Sequence, residues 1–329
     1  MSKINKRAIG QTDLKLSPLG LGCWQFSNGT GIVGRYWATM EDSTVKEIIQ
    51  TSLDGGINWF DTAEVYGKGQ SEETLAAMLD ELNISPEDAH IATKWWPLFR
   101  SSSSITNTIG TRQEKLNHRP IDLYQVHQPH SFSSVEKEMD QMVKLVEEKK
   151  INYVGVSNFS EVAMRKAHAR LQEYGLNLTS NQVRYSLLDR RIEKNGVLDA
   201  AKELGISLIA YSPLEQGILS GKFHNDPSLV QKSGMRKYLG RFKPNGLAKS
   251  YPLILKLEEL AKKYEVSASQ IALNWIISYH GETVFAIPGA SKPHHAEENI
   301  GAMNFELSRD ELEEISRISW EIVEKSPKK

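Results

Sequence analysis

Residues 57–82 read INWFDTAEVYGKGQSEETLAAMLDEL. The stretch opens with an apolar run of strand length, 57–62, and closes with a helical pattern, 71–82. Glu72 and Glu73 stand in the first helical turn, where the helix dipole favours negative charge. Ser71, two residues after Gly69, reads as the start of that helix in a box with Thr74. A loop rich in Gly and Lys joins the two parts. The unit is strand, loop, helix, with Asp61 at the end of the strand and Tyr66 in the loop. A carboxylate and a phenol at the mouth of a strand are not core residues, and their place raises the question of what converges on them.

The same alternation recurs along the chain. Further strands are expected at 19–24, 90–95, 123–127, 153–157, 178–183, 207–212 and 283–288. Amphipathic helical patterns occupy 43–56, 133–150, 160–175 and 266–281, and the last three open on a Ser or a Val-Ser. Strands alternating with helices of this length mean βαβ units and a parallel sheet. Eight such units in an α/β chain point to a closed (β/α)8 TIM barrel, for which about 250 residues plus insertions is usual. An open doubly wound sheet is the alternative. Residues 6–18 read as an N-terminal β-hairpin that caps the barrel bottom, and extra helices follow the last strand. No linker divides the chain, so 1–329 is expected to be a single domain. The segment 214–250 is long, basic and glycine-rich, either a functional loop or a surface insertion.

Of 329 residues, 40% are hydrophobic and 25% charged, as in a soluble globular protein. The net charge of −1 gives no field that favours nucleic acid or an anionic membrane, so neither is expected as a partner. The one cysteine, Cys23, forms no internal disulfide and fits a reducing, cytoplasmic setting. The N-terminal residues lack the apolar region of a signal peptide, and no apolar run is long enough for a transmembrane helix.

In a barrel the C-terminal ends of the strands line the active face. Asp61 and Tyr66 follow the second strand, Lys94 ends the third and His127 ends the fourth. These four converge as a catalytic group. An ammonium at Lys94 pulls the Tyr66 phenol toward ionisation, Asp61 holds Lys94 as an ion pair, and His127 orients a carbonyl oxygen. No activated nucleophile of the Ser–His type is present, so proton donation to a carbonyl is the expected reaction, with a nicotinamide cofactor as hydride source. The pair His127 and His130 lacks a third ligand, so no metal is expected. Gly20-Leu21-Gly22 has Gln25 where a dinucleotide fingerprint needs its third Gly. Residues 28–34, NGTGIVG, lack the Lys and Ser/Thr of a phosphate loop and read as a substrate-side loop.

The segments GLGCW, FDTAEVYG, ATKWW, VHQP, VGVSNF, NQVRYS, AYSPLEQGILSGK and IPGASKPHHAEEN follow one another as they do in aldo-keto reductases, which the chain resembles from about residue 6 to about residue 320. The resemblance implies that Asp61, Tyr66, Lys94 and His127 are the family's catalytic tetrad. It implies that Ser157, Asn158 and Gln182 bind the nicotinamide carboxamide and that Tyr211 stacks on the ring. Ser212, Leu214, Gly217 and Ser220 would lie along the pyrophosphate. Gly289, Ser291, Lys292, His295, Glu298 and Asn299 would hold the adenosine end. His295 stands where the family often has Arg, so a moderate preference for NADPH over NADH is expected, weakening as pH rises.

The best-known family members carry a long C-terminal loop over the substrate. Here the last helical pattern, 308–322, is followed by VEKSPKK, and Gln128 stands where many branches have Trp. This resembles the shorter-tailed branches that include bacterial reductases and potassium-channel β subunits. Trp24, Trp95, Trp96, Phe99 and Gln128 are expected to line the substrate pocket. The expected activity is an NADPH-dependent aldehyde and ketone reductase. The alternative is a cofactor-binding regulatory subunit or redox sensor with incidental reductase activity. The physiological carbonyl substrate and the choice between monomer and homo-oligomer stay open.

Overall fold

The computed structural model describes residues 4–29, 39–232 and 234–324. An antiparallel pair, β1 (Arg7–Ala8) and β2 (Lys15–Leu16), precedes the main sheet. That sheet is parallel: β3 (Leu21–Gly22), β4 (Trp59–Asp61), β5 (His90–Trp95), β6 (Leu123–Val126), β7 (Tyr153–Ser157), β8 (Leu178–Arg184), β9 (Ser207–Tyr211) and β10 (Val284–Ala286). Each strand pairs with the next in chain order. The ends also meet. Leu19 bridges Ala286, Gly22 bridges Gly289, and the amides of Gly20 and Gly22 donate to the carbonyls of Ala286 and Pro288. The sheet therefore closes into a (β/α)8 barrel, and an open doubly wound sheet is excluded.

The surrounding helices are α1 (Asp42–Asp54), α2 (Gln70–Glu81), α3 (Ser103–Lys115), α4 (Val135–Glu147), α5 (Glu161–Gln172), α6 (Val197–Leu204), α7 (Pro244–Tyr264), α8 (Ala268–Ser278), α9 (Pro293–Gly301) and α10 (Arg309–Glu324). The hydroxyls of Ser134, Ser160 and Ser267 cap α4, α5 and α8, each accepting the amide three residues on. Helix α2 departs from the expected box. It starts at Gln70, after Gly69 in the left-handed region (φ 89°), and makes no side-chain cap. Ser71 is buried, and its hydroxyl instead donates to the Cys23 carbonyl at 2.7 Å and accepts from Thr62 at 2.8 Å. Burial made the neighbouring strand ends better partners than the helix's own amides.

Side chains alternate across each strand. The outward set, including Phe60, Ile91, Tyr124, Val126 and Val154, packs under the helices. The inward set at the bottom is apolar: Trp59, Ala92, Leu123, Ile209 and Phe285 meet Ile9, Leu14 and Leu16 of the hairpin. The Trp59 indole donates to the Ser17 carbonyl at 2.9 Å and stands edge-on to Phe285, ring centres 6.2 Å apart. Gly20 makes room for it, since a Cβ there would lie 2.3 Å from the indole. The hairpin thus plugs the N-terminal end of the barrel and leaves the polar ends of the strands at the other. The segment 214–250 is built of short 3-10 turns, one short α-helical turn (Lys222–Asn225) and the start of α7, around a small apolar cluster of Ile218, Phe223, Val230, Phe242 and Leu247.

Candidate active site

Two-residue alternation turns Asp61 inward above Trp59, and Lys94 inward above Ala92. Lys94 is fully buried. Its Nζ is bonded to Asp61 Oδ1 and donates to the Thr62 carbonyl at 2.8 Å. The other Asp61 oxygen accepts from Gln182 Nε2 at 2.8 Å and from Gln125 Nε2 at 3.2 Å. Lys94 Nζ lies 5.0 Å from the centre of the Tyr66 ring. Trp24 stacks beside Tyr66 with ring centres 6.0 Å apart, and His127 meets it edge-on at 5.7 Å. Trp96 meets His127 edge-on at 5.2 Å.

Burial pushes the Tyr66 phenol well above its usual pKa, and Asp61, Cys23 and Tyr211 push the same way. Burial thus outweighs the pull toward ionisation expected from Lys94, 5.0 Å from the ring centre. The ammonium is matched by Asp61 at bonding distance, and burial lowers the pKa of Lys94 itself. Burial, and then the Lys94 charge, hold His127 well below the ordinary imidazole value. Its Nδ1 is buried with no hydrogen-bond partner. Near neutrality the site therefore presents a protonated phenol and a neutral imidazole above a balanced ion pair. That arrangement can give a proton and orient an oxygen.

The cleft above this group has a volume of about 830 Å³. Trp24, Trp96 and Gln128 line it beside Tyr66 and His127. Ser157, Asn158, Gln182, Tyr211, Ser212 and Leu214 continue the lining, followed by Gly217, Ser220, Gly289, Ser291, Lys292, His295, Glu298 and Asn299. Trp95 is not among them. Next to an inward Lys94 it must face outward, and it is fully buried in the strand–helix layer with its indole donating to Ser104 Oγ at 3.0 Å. Phe99 is also outside the lining; it is 77% exposed and packs beside Phe132 instead. Most of the motif 28–34 lies outside the described residues.

The strand ends are tightly cross-linked. Tyr211 donates to Asn158 Oδ1 at 3.0 Å, Asn158 donates to Ser157 Oγ at 3.1 Å, and Ser157 donates to the Gln182 carbonyl at 2.9 Å. Asn158, Ser212, Glu215 and Gln216 all take positive φ, a strain that concentrates at ligand sites. His295 is held down to about 4 by burial and by His294, Lys222 and Lys292, and its Nδ1 accepts from the Ser291 amide at 3.3 Å.

Sequence reasoning missed Gln125, which donates to Asp61, and the cations Lys222, Lys232 and Arg236, which line the same cleft as Lys292. Gln125 was legible, since it lies two residues before His127 on one strand face. The cations were not, since they come from the aperiodic segment 214–250. Among the described residues, no three His, Cys, Asp or Glu side chains converge as a metal site requires, and no helix is long and apolar enough to cross a membrane.

A family model described as the aldo/keto reductase family matches residues 18–319. A probable aldo-keto reductase of Glycine max is 31% identical over 325 residues, covering 95% of this chain and 88% of that protein. The chloroplastic pyridoxal reductase of Arabidopsis thaliana is 33% identical over 310 residues, covering 91% of this chain and 82% of that one. Among solved structures, a glycerol dehydrogenase from Gluconobacter oxydans superposes with a TM-score of 0.84 at 28% identity, covering 100% of this chain and 99% of its own.

Proposed function

The chain belongs to the aldo/keto reductase family, and from that premise we propose that it reduces aldehydes and ketones to alcohols with NADPH, Tyr66 giving the proton. The observation that carries the reading is the placing of the Tyr66 phenol in the cleft between the buried Lys94–Asp61 pair and His127, where burial favours a protonated phenol and a neutral imidazole.

The cleft suits a phosphate-bearing dinucleotide. Lys222, Lys232, Arg236 and Lys292 all line it, and Lys222 stands close enough to Arg236, Glu298 and Lys292 to feel their charges. Burial, then Arg236, with a further push from Lys292, lowers the pKa of Lys222. An anion there would relieve that repulsion. Ser157, Asn158, Gln182 and Tyr211 would hold the nicotinamide end, and Ser212, Leu214, Gly217 and Ser220 the pyrophosphate. Gly289, Ser291, Lys292, His295, Glu298 and Asn299 would hold the adenosine and its 2′-phosphate. When bound, NADPH supplies the hydride for the carbonyl carbon.

The chain's own residues do the rest. His127, neutral, donates one N–H to the carbonyl oxygen and fixes its direction. The Tyr66 hydroxyl passes its proton to that oxygen. Lys94 then faces the phenolate that remains, and Asp61 keeps the ammonium in place. Trp24 and Trp96 give the substrate end aromatic walls, which suits carbonyls with apolar or aromatic parts. An Arabidopsis relative named for pyridoxal makes that aldehyde a sensible member of a substrate panel.

The test follows cofactor absorbance with NADPH and NADH against pyridoxal, 4-nitrobenzaldehyde and methylglyoxal. Repeated turnover, faster with NADPH, is expected. One oxidation per protein molecule followed by very slow exchange supports the regulatory reading instead. No oxidation with any carbonyl overturns the reductase reading.

A further inference from the structure

Between Asp61 and Tyr66 the chain carries Glu64, which none of these steps uses. Its Oε1 accepts the Trp96 amide at 2.6 Å and a bond from Arg100 Nη1. The same Arg100 nitrogen donates to the Trp96 carbonyl at 3.0 Å. Arg100 is fixed in turn by α3, its Nε and Nη2 donating to Ser104 at 3.0 Å and Thr108 at 2.8 Å. Glu64 Oε2 lies 3.8 Å from Arg112 Nε. Arg112 pairs with Glu72, which is fully buried and accepts the Thr93 hydroxyl at 2.6 Å.

Two carboxylates and two guanidiniums therefore balance one another behind the cleft wall. Buried charges are costly unless their bonds are well satisfied, and they specify geometry better than they stabilise. Here the bonds close around one peptide unit on either side of Trp96. Its indole forms the cleft wall and lies edge-on to His127. The Glu64 amide also donates to the Lys94 carbonyl at 3.3 Å, so the loop carrying Tyr66 and the loop carrying Trp96 are held together at this residue.

We infer that Glu64 is a positioning residue that fixes the Trp96 wall, and so sets which carbonyl side chains the cleft accepts. The inference rests on the reductase reading for its substrates, and on the geometry alone for the position of Trp96.

The test compares wild type, Glu64→Ala, Arg100→Lys, Trp96→Ala and the double variant Glu64→Ala/Trp96→Ala. Glu64→Ala is expected to lower kcat/KM for 4-nitrobenzaldehyde about ten- to a hundredfold, mostly through KM, as a misplaced wall does. Methylglyoxal, too small to lean on the indole, is expected to lose much less, and the NADPH dissociation constant to stay the same. In the Trp96→Ala background, Glu64→Ala is expected to add nothing further, because both changes act on one contact. Arg100→Lys keeps the charge but loses the fork, so it gives the same selectivity change to a smaller degree should Glu64→Ala fail to fold. Equal losses on both aldehydes, or additive effects in the double variant, overturn the inference. A second readout needs no turnover. In protein labelled with 5-fluorotryptophan, the resonance that Trp96→Phe removes should shift and broaden in Glu64→Ala. An unchanged resonance overturns the inference even if neither aldehyde proves to be a substrate, a result that by itself counts only against the reductase reading.

Discussion

The two ends of the barrel are built from the same strands and behave as different materials. At the bottom, Trp59, Leu123, Ile209 and Phe285 fill the interior with apolar side chains, sealed by the hairpin. At the top, the next inward positions on those strands are Asp61, Gln125 and Tyr211, with Ile287 the apolar exception and with Lys94 and His127 alongside. The bottom stabilises by removing apolar surface from water. The top sets a buried ion pair, an unpartnered imidazole nitrogen and a run of positive-φ residues against that stability. Burial in this plug, together with the larger apolar layer between strands and helices, offsets the cost of a polar and strained upper end.

That division can be broken at either end. Tyr66→Phe should leave the fold and cofactor titration intact while kcat falls about 10²–10⁴-fold, the range of a lost general acid. Wild-type turnover with chemistry rate-limiting would remove Tyr66 from the role. Trp59→Ala should do the converse, costing about 3–5 kcal/mol in urea melts while the folded fraction keeps its kcat. Equal damage to both readouts would mean that the plug also shapes the site.

Gln125 lies on the boundary. Gln125→Leu removes one donor from the buried Asp61 carboxylate, with an expected stability loss of about 1.5–3 kcal/mol, as for a hydrogen bond to a charged group. Turnover should fall with it, because the Asp61–Lys94 pair is disturbed. A variant that loses stability and keeps full kcat would show that Gln125 serves only the packing.

The smallest effects are expected at the far end of the cleft. Lys292→Ala should weaken NADPH about tenfold in isothermal titration and leave NADH alone. His295 already holds a pKa of about 4 in the free protein, and a neighbouring phosphate raises it. Its charge therefore contributes fully to binding only below about 4 and is lost as pH rises through the raised value. His295→Ala should change NADPH affinity less than about twofold at pH 8 and more at pH 5. A larger loss at pH 8 than at pH 5 would contradict this.

Much of the architecture was legible because it is periodic. The strands at 90–95 and 153–157 fall where alternation puts them, and the Ser caps of α4, α5 and α8 sit where expected. Trp95 was expected in the pocket, and the structure corrects this: with a period of two, a side chain beside an inward Lys94 points the other way, into the strand–helix layer. Ser71 departs from the expected cap because a capping pattern is local, whereas the partner that won, the Cys23 carbonyl, comes from the turn after β3.

The sequence by itself determined that strands and helices alternate, which polar residues stand at the strand ends, and that these suit proton donation to a carbonyl. Such features rest on neighbours in the chain, where spacing alone fixes the face a side chain takes. Only the tertiary structure decided that Gln125 and Gln182, 64 and 121 residues from Asp61, both hold its carboxylate. It decided as well that burial raises the pKa of Tyr66 and that Lys222, from the aperiodic segment, comes near Arg236 and Lys292. Those outcomes depend on closure of the barrel, because desolvation and charge pairing arise from the three-dimensional surroundings of a group and have no period along the chain.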